Sequence, residues 1–320
     1  MAQGLSGELQ HVGAVVLVAA AFEQDIMRMI FLGLCISITA LPVAVKLMDS
    51  LGILHTPIAK FSLATAVVND VAALFILGIV LNLPETLTLG DASSAVGIAT
   101  LKLIAMGLVV LCLNQLLNWL EKRNVNVQAL PEAMIRVFGP EALFGIVIVF
   151  VLIFGTISEA LGFHFVIGAF FGALFLDKKH FIASRYKDLQ STLGSVTNGF
   201  LGPIFFAYLG LELQLVSLSD WEFPLIVIVV SIVTKLFAGW LGGLMVGMEH
   251  REAMGLGAVL NGRGVMELVV AGIAYQNGFI GPTMFSTLVL MGIVTTFLTP
   301  IFFKQIYRGN KLEEYRQESR

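Results

Sequence analysis

Charged residues are scarce in this 320-residue sequence, at 13% of positions, whereas a typical soluble domain has about 25%. Hydrophobic residues account for 57%, and the mean hydropathy is +0.90. This composition predicts an all-α polytopic membrane protein in contact with the lipid bilayer. The net charge of −3 is small and gives no indication of nucleic-acid binding, and no nucleic-acid partner is predicted.

Cysteine and histidine are also rare. The two cysteines, Cys35 and Cys112, lie inside apolar runs, so neither a disulfide framework nor a CxxC metal site is expected. The five histidines lie near the ends of apolar segments without the spacing of metal ligands. The sequence therefore does not favour an enzyme, and no cofactor is predicted.

Apolar segments of roughly 20 residues, the length that crosses about 30 Å of hydrocarbon, recur along the chain. They predict ten spans, at 9–22, 29–48, 61–82, 95–119, 142–161, 164–176, 199–213, 224–247, 252–275 and 283–305. We expect a transporter domain at 1–313, with core elements at 29–82 and 224–305, and a short tail at 306–320.

Lysine and arginine alternate between connections. The basic loops carry Lys46, Lys60, Lys122, Arg123, Arg136, Lys178, Lys179, Arg185, Lys187 and Arg251, and the tail carries Arg308 and Lys311. The positive-inside rule places these loops and both termini in the cytoplasm. We expect a bacterial inner (plasma) membrane protein.

Two of the predicted spans contain helix-breaking residues near their middle. CISITALPV (35–43) places Pro42 in the middle of its span, and NGRG (261–264) interrupts another. The loop charges orient these two spans oppositely. Paired breaks in inverted halves indicate an inverted-repeat secondary transporter with two broken, crossing helices.

Ionisable residues inside the spans are the candidate functional groups. They are Asp70, Glu159, Lys235, Arg263 and Glu267. A carboxylate at the bilayer centre costs about 2.5–3.5 kcal/mol, so Asp70 needs a partner from another helix, and Lys235 and Arg263 are the available cations. Arg263 and Glu267 lie four residues apart on one helix face and can pair. Glu159, near a span end, can be structural or a secondary site.

A carboxylate that competes with a nearby ammonium can bind a proton or release it and bind a small cation. Ser37, Thr39, Thr65 and Asn69 add oxygen ligands that suit Na⁺ or K⁺ at Asp70, and Asn261 is a possible further ligand at the second break. Arg263 can compensate the partial charge of a half-helix end.

The motifs SITALPV (37–43), AVVNDVAAL (66–74), GFHFVIGAFFGALFL (162–176), GPIFFAYLGLEL (202–213) and NGRGVMELVV (261–270) resemble the second monovalent cation:proton antiporter family. The resemblance spans nearly the whole chain. It implies an elevator-like cycle in which Asp70 binds cation and proton. By the same resemblance, Asn69 matches the residue that precedes this aspartate in the family, and Thr39, Lys235 and Arg263 match the family's polar and basic positions. An Asn-Asp pair is associated in the superfamily with electroneutral exchange.

Relatives carry about three more spans before the first break, where this chain has about 25 residues. We expect the chain to lack those spans, and a homodimer is expected if they are present. Two alternative functions stay open, a cation-coupled symporter of an organic anion and a non-transporting fragment of an antiporter. A channel would need filter motifs or rings of like charge, which the sequence does not show.

Overall fold

The computed structural model describes residues 26–82, 89–123, 129–139, 141–176, 181–218 and 221–308, together with 313 and 315. All regular structure in these residues is helical. The α-helices are α1 Ile26–Ser37, α2 Leu41–Ser50, α3 Pro57–Val80, α4 Leu89–Lys122, α5 Ala129–Phe138, α6 Ala142–Ala160, α7 Phe165–Phe175, α8 Ala183–Val196, α9 Gly202–Glu212, α10 Glu222–Met245, α11 His250–Leu260, α12 Val265–Gln276 and α13 Pro282–Ile306. The prediction of an all-α polytopic membrane protein is confirmed.

Six described segments are long and apolar enough to cross a membrane, and a seventh is the bent pair α11–α12. Of the other predicted spans, 9–22 lies outside the described residues. The span at 164–176 corresponds to α7, whose 11 residues extend only about 16 Å. The span at 199–213 forms part of a helical run in which the wide π turn Thr197–Leu201 joins α8 to α9. The count of ten stays a prediction.

Both predicted helix breaks are present. The segment 27–50 is interrupted between α1 and α2 at residues 38–40, where Pro42 occupies the first turn of α2 and needs no intrahelical donor. The segment 250–276 is interrupted at 261–264 and bends there by 43°. The extended backbone of Gly264 starts α12.

The described chain divides into two compact units, and one unit contains the residues up to Ala73 and those from Leu209 onward. Its α10 and α11 pack almost backbone to backbone, because a Cβ on Gly239 would lie 2.3 Å from the Cα of Gly257. In the same unit, Tyr307 and Tyr315 belong to a buried apolar cluster, and the centroids of their two rings are 5.2 Å apart.

The second unit runs from Leu74 to Tyr208. Its tightest packing joins α6 to α7, where the absence of side chains on Gly155, Gly168 and Gly172 permits close approach. A Cβ on Gly168 would lie 2.1 Å from the carbonyl oxygen of Phe154. These two helices therefore form a closely packed hairpin.

Candidate cation and proton site

The two helix breaks lie against each other through main-chain and side-chain hydrogen bonds. The Ala40 amide donates to the Gly262 carbonyl at 3.0 Å, and the Thr39 hydroxyl donates to the Leu260 carbonyl at 3.0 Å. Thr39 is fully buried. Each break therefore satisfies backbone groups that the other leaves without an intrahelical partner.

Lys235 reaches the first break from the middle of α10. Its ammonium donates to the Thr39 hydroxyl at 3.0 Å and to the backbone carbonyl of Ser37, and its side chain is 3% exposed. A buried ammonium needs several oxygen acceptors to offset its desolvation, and the unwound backbone provides them. The structure therefore brings Lys235, Ser37 and Thr39 together, whereas the sequence indicated Lys235 as a partner of Asp70.

The Ser37 carbonyl, rather than its hydroxyl, faces the other site residues. It accepts a hydrogen bond from the Asn69 side-chain amide at 3.4 Å as well as the one from Lys235. The Ser37 hydroxyl donates back to the Leu34 carbonyl at 2.9 Å. The contribution of Ser37 to this site is thus a backbone oxygen, which a residue type alone does not reveal.

Asp70 lies near the middle of α3, one residue after Asn69 and five residues, about one and a half turns, after Thr65. One carboxylate oxygen of Asp70, Oδ1, is buried and receives no hydrogen bond from the described residues. The Lys235 charge acts electrostatically on this carboxylate. Asp70 therefore presents an unsatisfied anionic oxygen near a buried cation, in an apolar helix.

Arg263, in the second break, bonds to the backbone of the first. Its Nη1 donates to the Cys35 carbonyl at 2.6 Å and to the Ile38 carbonyl at 3.2 Å, so the guanidinium neutralises the C-terminal end of α1. Its own carbonyl accepts from the Thr296 hydroxyl on α13 at 2.9 Å. The predicted compensation of a half-helix end is consistent with this contact.

Glu267 lies one turn after Arg263, and both side chains are fully buried. The Arg263 Nε and the Glu267 Oε2 are 3.9 Å apart, which is an ion pair but is too long for a hydrogen bond. Neither oxygen of Glu267 receives a hydrogen bond from the described residues, and neither side-chain polar atom of Asn261 has such a partner. Polar groups buried in this way favour hydration or ion binding at the second break.

Glu159 is not part of this cluster. It is an exposed residue at the end of α6, in the unit from Leu74 to Tyr208. The described residues contain no group of three or more His, Cys, Asp or Glu side chains that could hold a metal ion. The residues described above instead combine the Asp70 and Glu267 carboxylates with hydroxyl, amide and carbonyl oxygens.

Sequence reasoning missed several partners. The carbonyls of Cys35 and Ile38 and the hydroxyl of Thr296 bind Arg263, and the Leu260 carbonyl binds Thr39. Backbone acceptors carry no residue-type signal. The repeated threonines of TTFLT (295–299) were the one available hint of a polar face on α13.

A helical, multi-pass membrane protein in which two interrupted helices meet near a half-buried carboxylate has the architecture of a secondary transporter. The comparisons with known proteins give the family. The transmembrane sodium/hydrogen exchanger family matches residues 10–308, and the chain belongs to this family. Its members are transporters rather than enzymes, and the ions that they move are substrates, so exchange requires no cofactor.

The similar proteins include antiporters from plants and bacteria. Cation/H⁺ antiporter 20 of Arabidopsis thaliana is 27% identical, aligned over 88% of this chain and 33% of its own length. The Na⁺/H⁺ antiporter NhaS4 of Synechocystis is 26% identical over 87% of this chain and 65% of its own length. The Na⁺/H⁺ antiporter of Enterococcus hirae is 26% identical over 90% and 72%. The chain thus spans about a third of the length of the plant relative.

Proposed function

We propose that the chain exchanges a monovalent cation, Na⁺ or K⁺, for protons across the membrane, with Asp70 binding proton and cation alternately. The observation that carries the proposal is the Asp70 carboxylate, which lies in the middle of a 24-residue apolar helix with a buried oxygen that accepts no hydrogen bond from any residue the structure describes. A single carboxylate there holds one positive charge at a time, because binding either ion removes the charge that attracts the other.

The break residues supply the remaining ligands in this proposal. The Ser37 carbonyl, Thr39 hydroxyl and side chains of Thr65 and Asn69 are hard oxygen donors suited to Na⁺ or K⁺. Lys235, Arg263 and Glu267 balance charge around them. The printed names of the relatives, which are cation/H⁺, Na⁺/H⁺ and K⁺/H⁺ antiporters, support the same reaction.

The transport mechanism and the orientation of the protein in its membrane are part of the same proposal. The resemblance supports an elevator-like alternating access, with the core elements at 29–82 and 224–305 carrying the site. The basic loops support cytoplasmic termini in a bacterial inner membrane.

The test is cation-dependent dequenching of an internal pH dye in proteoliposomes under a preset proton gradient, with Na⁺, K⁺ or Li⁺ added in turn. We compare the wild type with Asp70→Asn, which keeps the side-chain shape and removes the charge. Asp49→Asn, at an exposed carboxylate of α2, is the matched control. Melting temperature and gel-filtration profile verify that all three proteins are folded.

We expect dequenching in the wild type and in the Asp49→Asn control, and none in Asp70→Asn. The cation that gives the response identifies the substrate. Full activity in a folded Asp70→Asn protein, or a silent folded wild type, would overturn the proposal.

A further inference from the structure

The turn between α6 and α7 carries a histidine in an unusual structural role. His164 is the N-cap of α7, and its ring nitrogen Nδ1 accepts a hydrogen bond from the Val166 amide at 3.3 Å. Asn, Asp, Ser and Thr are the usual residues at this position. A histidine can fill it only as the neutral tautomer with its proton on Nε2, because a protonated Nδ1 is a donor and accepts nothing.

The rest of the turn is fixed by bonds that do not depend on the imidazole. The Phe163 amide donates to the Ser158 carbonyl at 2.9 Å, and the Ser158 hydroxyl donates to the His164 carbonyl at 3.2 Å. Gly162, at φ +86°, makes the turn possible. The backbone of His164 is therefore held in place while its ring can exchange one partner for another.

In the part of the chain that the structure describes, two charged groups border this turn, one from α6 and one from α4. Glu159, in the last turn of α6, acts electrostatically on the His164 ring. Lys102 of α4 donates to the Leu161 carbonyl at 2.8 Å, which occupies its ammonium at the end of α6. An imidazolium formed here would thus have a carboxylate close by to balance it.

We propose that His164 is a pH-sensitive switch, in which protonation of Nδ1 removes the N-cap of α7 and transfers the imidazole to a charge interaction with Glu159. In this step one proton from water binds Nδ1, and the Val166 amide loses its acceptor. The partial positive charge at the helix N-terminus would also repel the positively charged imidazolium. In this proposal Glu159 is the partner of the protonated His164 ring. The proposal does not depend on which ion the chain transports.

The direction of the pH dependence follows from the folded state. Burial lowers the pKa of His164, and Glu159 opposes that effect. A histidine that is held neutral in the folded state stabilises the fold above its ordinary pKa of about 6.5. That contribution decreases as the pH falls below this value and through the lowered pKa of the folded state, so the first turn of α7 should open on acidification.

Hydrogen–deuterium exchange of the peptide that contains the Val166 amide tests the proposal on the whole chain in detergent. Exchange is measured at about pH 8 and about pH 5, on either side of the histidine range, and corrected for the intrinsic pH dependence of amide exchange. The variants are His164→Asn, which keeps a cap that does not titrate, and His164→Ala, which has none.

In the wild type we expect the corrected exchange of this amide to be about two- to thirtyfold faster at the acidic pH, the range given by the loss of one cap. His164→Asn should stay protected at both pH values, and His164→Ala should exchange fast at both. Parallel changes in wild type and His164→Asn, or equal exchange of wild type and His164→Ala at the higher pH, would overturn the switch.

Glu159→Gln tests the second half of the proposal. It removes the charge that balances the imidazolium while keeping the side-chain shape, so the transition should move to lower pH. A transition at the wild-type pH would remove Glu159 from the switch. Asp70→Asn, which abolishes transport under the proposed function, should leave this exchange pattern unchanged.

Discussion

The backbone amide of Ala40 donates a hydrogen bond to the carbonyl of Gly262 at 3.0 Å, so main chain joins the two interrupted helices. The side-chain bonds from Thr39 to the Leu260 carbonyl and from Arg263 to the Cys35 carbonyl reinforce this contact. All of these groups are buried, where an unsatisfied partner costs more than in water. These buried bonds therefore fix the positions of the backbone oxygens at the two breaks, among them the Ser37 carbonyl that Lys235 and Asn69 contact.

Thr39→Val tests the hydroxyl at the centre of this contact. The change keeps the shape of the side chain but removes the donor to Leu260 and an acceptor of the Lys235 ammonium. We expect the free energy of unfolding to fall by about 1–3 kcal/mol, because a buried carbonyl and a buried ammonium each lose a partner. Thermal melting in detergent measures the loss.

Thr39→Ser is the matched control, since it keeps the hydroxyl and removes only a methyl group. Its melting temperature should lie closer to that of the wild type than the temperature of Thr39→Val does. In the proteoliposome assay, Thr39→Val should also need a higher cation concentration for half-maximal dequenching. Equal melting of the Val and Ser variants would show that the hydroxyl contributes nothing to the contact.

Arg263→Met tests the buried ion pair. It leaves the Glu267 carboxylate without its cation and the Cys35 and Ile38 carbonyls without their donor. Breaking a buried pair on one side costs about 3–5 kcal/mol, and the loss should be visible as a large fall in melting temperature. Arg185→Met is the control, because Arg185 forms a 3.7 Å pair with Glu132 at about one-third exposure and should cost at most about 1 kcal/mol.

The double variant Arg263→Met with Glu267→Gln separates the two parts of this effect. Glu267→Gln removes the charge that Arg263→Met leaves unpaired, so the double variant should be more stable than the sum of the single changes predicts, by about 0.5–3 kcal/mol. Additive losses would show that Arg263 acts only through the carbonyls of α1.

The sequence predicted this pair because its spacing is local. Arg263 and Glu267 are four residues apart, and helix geometry alone brings them to one face. The breaks were predictable for the same reason, since Pro42 and NGRG (261–264) interrupt apolar runs directly. Asp70 was conspicuous because a carboxylate is costly in an apolar span.

The long-range partners could not be predicted in this way. Lys235 was expected to act on Asp70, but its hydrogen bonds go to the Ser37 carbonyl and Thr39, nearly 200 positions earlier. Packing of separate helices decides which backbone oxygen lies nearest, and a hydropathy pattern carries no information on it. The helical run 183–212 was likewise only partly predicted. The hydropathy pattern indicated its apolar part, at 199–213, but not α8, which is polar.

Gly239→Ala tests the close packing of α10 and α11, because α10 carries Lys235, which bonds to the first break. A Cβ there would lie 2.3 Å from the Cα of Gly257 and 2.8 Å from its nitrogen, so the two helices must move apart. Overpacking of this kind costs about 1–3 kcal/mol and outweighs the gain in helix propensity, which is at most about 1 kcal/mol. Thermal melting of the purified variant measures the balance.

Gly242→Ala is the matched control on the same helix. A Cβ at Gly242 meets no atom within 4 Å, so this change gives the propensity gain without the clash. We expect Gly242→Ala to melt at or above the wild-type temperature and Gly239→Ala to melt below it. Because backbone contact holds α10 beside α11, Gly239→Ala should also weaken cation-dependent dequenching while Gly242→Ala leaves it unchanged. Equal melting temperatures for the two variants would show that the contact between Gly239 and Gly257 does not hold α10 against α11.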